Sequence, residues 1–507
     1  MLVHFDRIPD DNQKLNLASQ GLVLAQYVSG NNWLASWNEQ ADLKSLDKSS
    51  ITDLYAIPPE LKINSRLQTI SPDEQTPDDL VAISYFAGMD AALVRQELKN
   101  AGALIVQTKF KPANIVFILN GISVLKKIAA LPFVASINPQ RIKDMPLNNN
   151  NRAIHGVEAL AAGLGRNLDG KGVIVGIGDN ADPSTHVDFT GRLIMRTDEP
   201  VDFHGTHTSG TLAGAGILNP LYRGMAPKAT LIVNDFSNIL VNTAIYSADF
   251  NMVLSNNSYY NGLAGCPGEA DYDALSNFVD SELIAFPKVL HVFAAGNDGG
   301  ITCSPFPAAF GNIKTGFQTA KNVLTVGGIN NSNYEVYAGS SRGPVADGRI
   351  KPEVFAGAVN IVSTFPYNGY GYSSGTSMAS PTATGILALL YERYRQLHGG
   401  ADPDAALIKA LVSNSADDMG NPGPDFTFGF GMINARTSVE AMEQNHYFTG
   451  SVSNNGNASF SIPAVPAGAY QVKIMLYWPD PAAQPFAAGT LVNDLDLTVT
   501  DPSGTHH

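Results

Sequence analysis

Apolar positions in this chain fall into three different patterns. Between about residues 155 and 445, VIVGIG (173–178), TLIVNDF (230–236), MVLSNNS (252–258), VLHVFAA (289–295) and NVLTVGG (322–328) are apolar through successive positions. Strands buried on both faces read this way, so these runs predict a parallel sheet under helices. The stretches 239–250, 270–285 and 403–416 predict helices. GILALLYERYRQL (385–397) continues a further helix whose first half is apolar all round, as in a core helix.

Residues 1–145 instead alternate strand-like and helix-like segments, among them VAISYF (81–86), AALVRQELKNAG (91–102), NIVFIL (114–119) and SVLKKIAAL (123–131). That alternation predicts a small α+β unit, or two. SSITDLYAIPPELKI (49–63) and LPFVASINPQRIKDM (131–145) both run strand, proline, basic tail, which raises an internal duplication as one of two readings. MPLNNNNRAIH (145–155) is polar without apolar period and reads as an exposed linker. From about 446 the helical pattern stops. SVSNNGNASFSIP, YQVKIMLYW and LVNDLDLTVT predict about four or five short strands between turns, part of an antiparallel β-sandwich expected to continue in the natural protein.

Composition narrows the function classes. A net charge of −14 argues against a nucleic-acid or anionic-membrane partner. No apolar stretch is long enough to predict a transmembrane helix. The opening MLVHFDRIPD has no basic start followed by an apolar region, so no signal peptide is visible in this chain. Two cysteines fit neither a disulfide scaffold nor a zinc framework.

In an open parallel sheet, ligands bind outside the carboxyl ends of the strands. Here Asp179 follows the first buried run, Ser258 the third, and Gly296 and Asn297 the fourth. HGTHTSGTLAGAG (204–216) adds histidines among small residues, and SSGTSMASPTA (373–383) is a serine-rich turn opening a helix. Taken singly, each has an ordinary structural reading as a cap or a turn. Taken in the order Asp, His, Asn, Ser on a parallel sheet, they match one known solution to acyl transfer.

At this point the chain resembles the subtilisin-type (subtilase) serine proteases. GIGDNADPSTHVDF (176–189) is similar to the family's aspartate motif, with His186 and Asp188 seven and nine residues beyond Asp179. HGTHTSGTLAG (204–214) resembles the histidine motif, which implies a catalytic His204 and a structural His207. AAGNDG (294–299) resembles the oxyanion asparagine motif and GTSMASP (375–381) the serine motif, implying roles for Asn297 and Ser377. On that resemblance Ser377 attacks the scissile carbonyl, His204 takes its proton, and Asp179 holds the imidazole tautomer. The Asn297 amide and the Ser377 N–H bind the oxyanion, a contact whose loss in subtilisin itself costs ~10²–10³ in rate. Two departures stand out: Asn180 and Ala181 replace the usual Thr/Ser-Gly, and Ser258-Tyr259-Tyr260 replaces Ser-X-Gly on the substrate-binding strand. Ser258, Tyr259, Tyr260 and Gly296 are accordingly the expected substrate-binding residues.

The resemblance also implies an architecture: an α/β subtilisin-like parallel sheet between helices (146–445), an N-terminal α+β propeptide region (1–145) and a partial C-terminal β-sandwich (446–507). Within the family, LVNDLDL (491–497) after MLYWPDP (475–481) is most similar to the KP-43-type alkaline proteases. The expected protein is a monomeric, secreted serine endopeptidase acting on protein or peptide substrates. It is made as a zymogen inhibited by its own propeptide, with cleavage within Leu147–Arg152. The chemistry requires no cofactor. Structural calcium fits the family, with Asp494 and Asp496 as candidate ligands but no assigned metal site. Cys266 and Cys303, in loops that the sheet order brings together, form a disulfide or remain two thiols. A catalytically inactive binding module and a peptide ligase or cyclase are the alternative functions.

Overall fold

The computed structural model describes residues 1–37, 50–65, 67, 79–86, 89–107, 114–119, 122–141, 149–161, 166–180, 182–261, 266, 270–462, 465, 469, 471–501 and 503–506. The chain divides into two compact units, Met1–Met145 and Pro146–His507.

The first unit repeats one topology. Strand β1 (Leu2–Phe5), helix α1 (Asp11–Ser19), and strands β2 (Leu22–Ser29), β3 (Asn32–Trp37) and β4 (Ile51–Tyr55) form a sheet ordered β2-β3-β1-β4. Strand β5 (Asp79–Tyr85), helix α2 (Ala91–Asn100), strands β6 (Ile105–Gln107) and β7 (Ile115–Ile118), helix α3 (Ile122–Ala129) and strand β8 (Val134–Arg141) follow. Their sheet is ordered β6-β7-β5-β8, the same permutation. All pairings in both sheets are antiparallel. The two segments that share the strand-proline pattern supply the equivalent strands β4 and β8, as a duplication requires. Each copy has its own core: Val3, Phe5, Leu17 and Leu22 in the first, and Ile83, Val94, Leu98, Ile118 and Ile128 in the second.

The second unit is built on seven parallel strands. These are β9 (Ile174–Asp179), β10 (Leu193–Met195), β11 (Thr230–Asp235), β12 (Met252–Asn257), β13 (Leu290–Ala294), β14 (Leu324–Ile329) and β15 (Val354–Gly357), in the order β10-β11-β9-β12-β13-β14-β15. Successive residues feed opposite faces, as strand geometry demands. Leu231 and Val292 join one core, whereas their neighbours Ile232 and Phe293 join another. The first core is closed by helices α5 (Val157–Ala161), α6 (Phe203–Ala213), α10 (Thr376–Leu397), α11 (Ala405–Asn414) and α12 (Ala435–Glu443). The second is closed by α7 (Asn238–Val241), α8 (Thr243–Phe250) and α9 (Ala274–Ala285). The stretch 239–250 is therefore two short helices, not one. The hairpin β16 (Ile361–Phe365) and β17 (Gly369–Ser373) leads into α10.

Two expectations need correction. MPLNNNNRAIH is not an exposed linker throughout: helix α4 (Asn149–Ile154) begins within it, and Asn151, Arg152 and His155 are buried. Asn151 donates to Thr382 Oγ1 (2.9 Å) and accepts from Asn331 Nδ2 (3.2 Å), while Arg152 donates to the Gly224 and Met225 carbonyls. Polarity there serves buried hydrogen bonds, which a hydropathy pattern reads as exposure. The second correction concerns the β-sandwich expected at 446–507. Among its described residues no strand pairs with another, and one isolated bridge joins Thr500 to His506. Alternating residues form a ladder only where a second strand meets them. Here Val472, Ile474 and Leu476 remain partly exposed, at 52%, 36% and 39%. The segment is held through Asp480 instead. Its carboxylate accepts from Lys321 Nζ and from the Val492 and Asn493 N–H groups (2.8 Å each).

A buried charge network lies below this segment. Glu353 Oε1 accepts from Lys409 Nζ (2.6 Å) and pairs with Lys351 Nζ (2.7 Å), and its Oε2 accepts from the Thr325 N–H (2.8 Å). Burial pushes the Lys351 ammonium down, against the pull of Glu353, and the two ammonium groups hold the Glu353 carboxyl low despite its own burial. Among the described residues no helix is long and apolar enough to cross a membrane.

Candidate active site

Parallel register brings three strand ends level. Asp179 lies opposite Asp235, Gly178 opposite Asn257, and Asn257 opposite Phe293. The residues that leave β9, β12 and β13 therefore emerge side by side, as an open parallel sheet requires for a ligand site.

Asp179 ends β9 with its side chain buried. Its Oδ1 is bonded to His204 Nδ1 (2.8 Å) and also accepts from the Asn180 N–H (2.9 Å), while Oδ2 accepts from Thr208 Oγ1 (3.0 Å). His204 is the second residue of α6, and its N–H donates to Asp202 Oδ1 (2.8 Å), which caps the helix. Burial opposes the imidazolium. The hydrogen bond and charge of Asp179, with the charge of Asp202, outweigh it and hold His204 above its ordinary value. His207, one turn on, behaves oppositely. It is fully buried against the Ile361 carbonyl (2.9 Å), and burial pushes it down to about 4, so it stays neutral. The two histidines of one motif are thus separated by their surroundings: carboxylates hold His204 above its ordinary value, and burial keeps His207 neutral.

Ser377 sits in the first turn of α10. Its hydroxyl donates to the Ser258 carbonyl (3.3 Å), and Ser258 Oγ donates back to the Ser377 carbonyl (3.1 Å). Asn297 Oδ1 accepts from the Thr376 N–H (2.9 Å) and from Thr376 Oγ1 (3.1 Å). With its oxygen so committed, the amide presents its NH₂ end as the available donor. Gly375 precedes the helix at φ 149°, where a Cβ would approach the Asn297 amide at 3.4 Å. That distance is ordinary contact, so it is the positive φ and not space that favours glycine here.

The remaining expected residues separate. The Tyr259 ring packs inward on Phe236, Phe293 and Phe317, and its hydroxyl donates to Asn257 Oδ1 (3.2 Å). Burial pushes that phenol well up. Tyr260 is exposed, with the Lys314 ammonium 4.6 Å from its ring centroid. Gly296 exchanges hydrogen bonds with Thr376 Oγ1 (3.3 and 3.1 Å). Cys266 and Cys303 are joined, with Cα atoms 5.2 Å apart. His186 and Asp188 lie outside the cluster: Asp188 accepts from the Gly216 and Ile217 N–H groups and from the Tyr370 hydroxyl. Ala181, one of the unusual motif positions, falls outside the described residues. Asp494 and Asp496 are exposed, and no three potential metal-ligating side chains converge among the described residues. Pattern reading missed Asp202, Thr208, Thr376 and Lys314. Asp202 carried a signal, a carboxylate at the cap position two residues before His204.

A profile described as the Subtilase family matches residues 170–431, more than half of the chain. The chain belongs to the subtilase family. Subtilases are serine endopeptidases acting on protein or peptide substrates, and this subtilase is one of them. Serine protease AprX of Bacillus subtilis (strain 168) is 29% identical over 338 residues, covering 58% of this chain and 71% of that protein. Thermitase of Thermoactinomyces vulgaris is 28% identical over 288 residues, covering 54% of this chain and 90% of the relative. An extracellular serine protease of Serratia marcescens is 27% identical over 450 residues, with 69% of this chain matching 40% of that protein. The solved Clostridium perfringens CspB protease shares the fold at TM-score 0.51 and 18% identity, covering 58% of this subtilase and 99% of that chain. Residues 1–58 match a domain of unknown function.

Proposed function

We propose that Ser377, His204 and Asp179 form the catalytic triad of this endopeptidase, with Asn297 as oxyanion donor. The observation that carries this reading is the 2.8 Å Asp179–His204 bond at the end of β9. It fixes the Nδ1–H tautomer, which leaves Nε2 free to act as base. A turn of the Ser377 hydroxyl away from Ser258 would give that base its proton. The Ser377 N–H lies in the first turn of α10, where backbone donors have no partner within the helix, and so would join the Asn297 amide in holding the oxyanion. Labelling with a fluorophosphonate followed by peptide mapping tests this: one adduct per chain, on Ser377, is expected. Active protein with no adduct there would overturn the assignment. An unlabelled, inactive protein would favour a binding module, and transfer to an added amine would favour a ligase.

His204 works as a base only when neutral, and its value is raised, so kcat/KM should fall as pH drops through a value above the ordinary 6.5. Asp202→Asn removes one of the charges that raise it while still capping α6. The acid limb of the kcat/KM profile should therefore move to lower pH. An unmoved limb would show that Asp202 does not act on His204.

We further propose that the unit Met1–Met145 is an intramolecular propeptide of a secreted zymogen. Its two antiparallel βαββ-containing copies, each with its own core, support this reading, as does the chain division at 145. Of the expected cleavage window Leu147–Arg152, residues 147–148 lie outside the described residues, and Asn151 and Arg152 are built into the second unit. A cut beyond them would discard buried hydrogen bonds. Active protein should therefore begin between Pro146 and Asn151, as N-terminal sequencing would show. A start at residue 1, or beyond Asn151, would contradict it.

A further inference from the structure

The two chain segments that leave β12 and β13 flank Ser377. Ser258 exchanges hydrogen bonds with it, and Gly296 and Asn297 hold the adjoining Thr376. A substrate side chain next to the attacked carbonyl (the P1 side chain) would enter between these segments. Lys314 joins them. Its N–H donates to the Ala295 carbonyl (3.3 Å), and its stem lies so close under Gly296 that a Cβ there would be 2.7 Å from Lys314 Cγ. Gly296 has φ 115°, a conformation open to glycine. The Lys314 ammonium is ion-paired with the Asp298 carboxylate on one segment and lies over the Tyr260 ring on the other. Its side chain is almost fully buried, at 2% exposure, whereas that of Asp298 is 25% exposed.

We propose that Lys314 is a specificity-determining residue that turns this site against cationic P1 side chains. The inference rests on Ser377 being the nucleophile. Asp298 is the acid beside Asn297, and alone it would attract an arginine or lysine at P1. Lys314 neutralises that acid, so the pair offers a cationic side chain no net negative charge, and the side chain would meet the ammonium held between the two segments. A cationic side chain must then approach an ammonium whose carboxylate is already engaged. A neutral side chain loses nothing. Discrimination built this way removes the attraction that an unpaired Asp298 would exert on a cation.

The test compares kcat/KM on peptides identical except for Arg, Gln or Glu at P1. Fluorophosphonate labelling counts competent sites in each variant first. Wild-type protein that does not label Ser377 refutes the nucleophile assignment itself, separately from the role of Lys314. Lys314→Met, which keeps the stem, should raise the Arg-to-Gln ratio by about 10-fold or more. Asp298→Asn, which leaves the ammonium unneutralised, should raise the Glu-to-Gln ratio and lower the Arg-to-Gln ratio. Lys314→Arg should keep the wild-type ratios. A purely structural lysine would instead lower all three substrates together. Ratios within about 2-fold of wild type in labelled Lys314→Met or Asp298→Asn protein would overturn the proposal.

Discussion

Ser377→Ala is expected to lower kcat by ~10⁶-fold, the scale found in subtilisin itself when the nucleophile is lost, while the protein stays folded. Among the described residues, the hydroxyl it removes donates to the Ser258 carbonyl at 3.3 Å and is only part-buried. Alanine suits a helix first turn as well as serine does. The loss is therefore chemical. Residual turnover of ~10³–10⁴ over water is still expected, because the Asn297 amide and the substrate-binding segments remain. The measurement is hydrolysis of a chromogenic peptide by purified processed protein, checked against circular dichroism. A variant that kept more than ~1% of wild-type turnover would exclude Ser377 as nucleophile. If processing depends on the same serine, the variant should also accumulate as the full-length chain, and processed protein is then obtained by supplying active enzyme in trans.

Glu353→Ala should produce the largest loss of stability. Glu353 holds Lys351 and Lys409 in a region where all three side chains are buried. Removing the acid strands two ammonium groups away from water, a change that costs about 3–5 kcal/mol when one partner of a buried pair is lost. The pair is not therefore a large net source of stability. Replacing all three together, as Lys351→Met, Glu353→Leu and Lys409→Met, should cost far less than Glu353→Ala alone, because it leaves no orphaned charge. Urea unfolding followed by tryptophan fluorescence compares the two. Equal losses in the single and triple variants would mean that packing, not charge, is what Glu353 contributes. The Lys409 ammonium also lies 5.0 Å from the Tyr477 ring centroid, so the single variant should loosen the C-terminal segment as well.

The buried strands were legible because their apolar runs are continuous, and every run named from sequence became a strand of the parallel sheet. The candidate site was legible because reactive side chains stand at the ends of those runs: Asp179, Ser258 and, after Gly296, Asn297. The short edge strands β10 and β15 left no comparable signal, since three or four residues carry too little periodicity. Residues 149–155 were misread because buried polar side chains and exposed ones look alike in a hydropathy pattern. At residues 446–507 pattern and structure differ for a related reason. Alternation shows that a segment can be a strand, but not that a partner strand meets it.

What the sequence alone determined, then, was local: which segments are buried strands, which helices cover them, and which reactive side chains stand at strand ends. These follow from properties of a few consecutive residues. Tertiary structure alone decided the relations among distant residues. It brought Lys314 to Tyr260 and Asp298, joined Cys266 to Cys303, and separated a titrating His204 from a buried, neutral His207 three residues away. It also made the two halves of Met1–Met145 equivalent through strand order despite weak likeness in sequence. Each of these depends on burial and on electrostatic neighbours, which are set by the packing of segments far apart in the chain and not by the residues next to them.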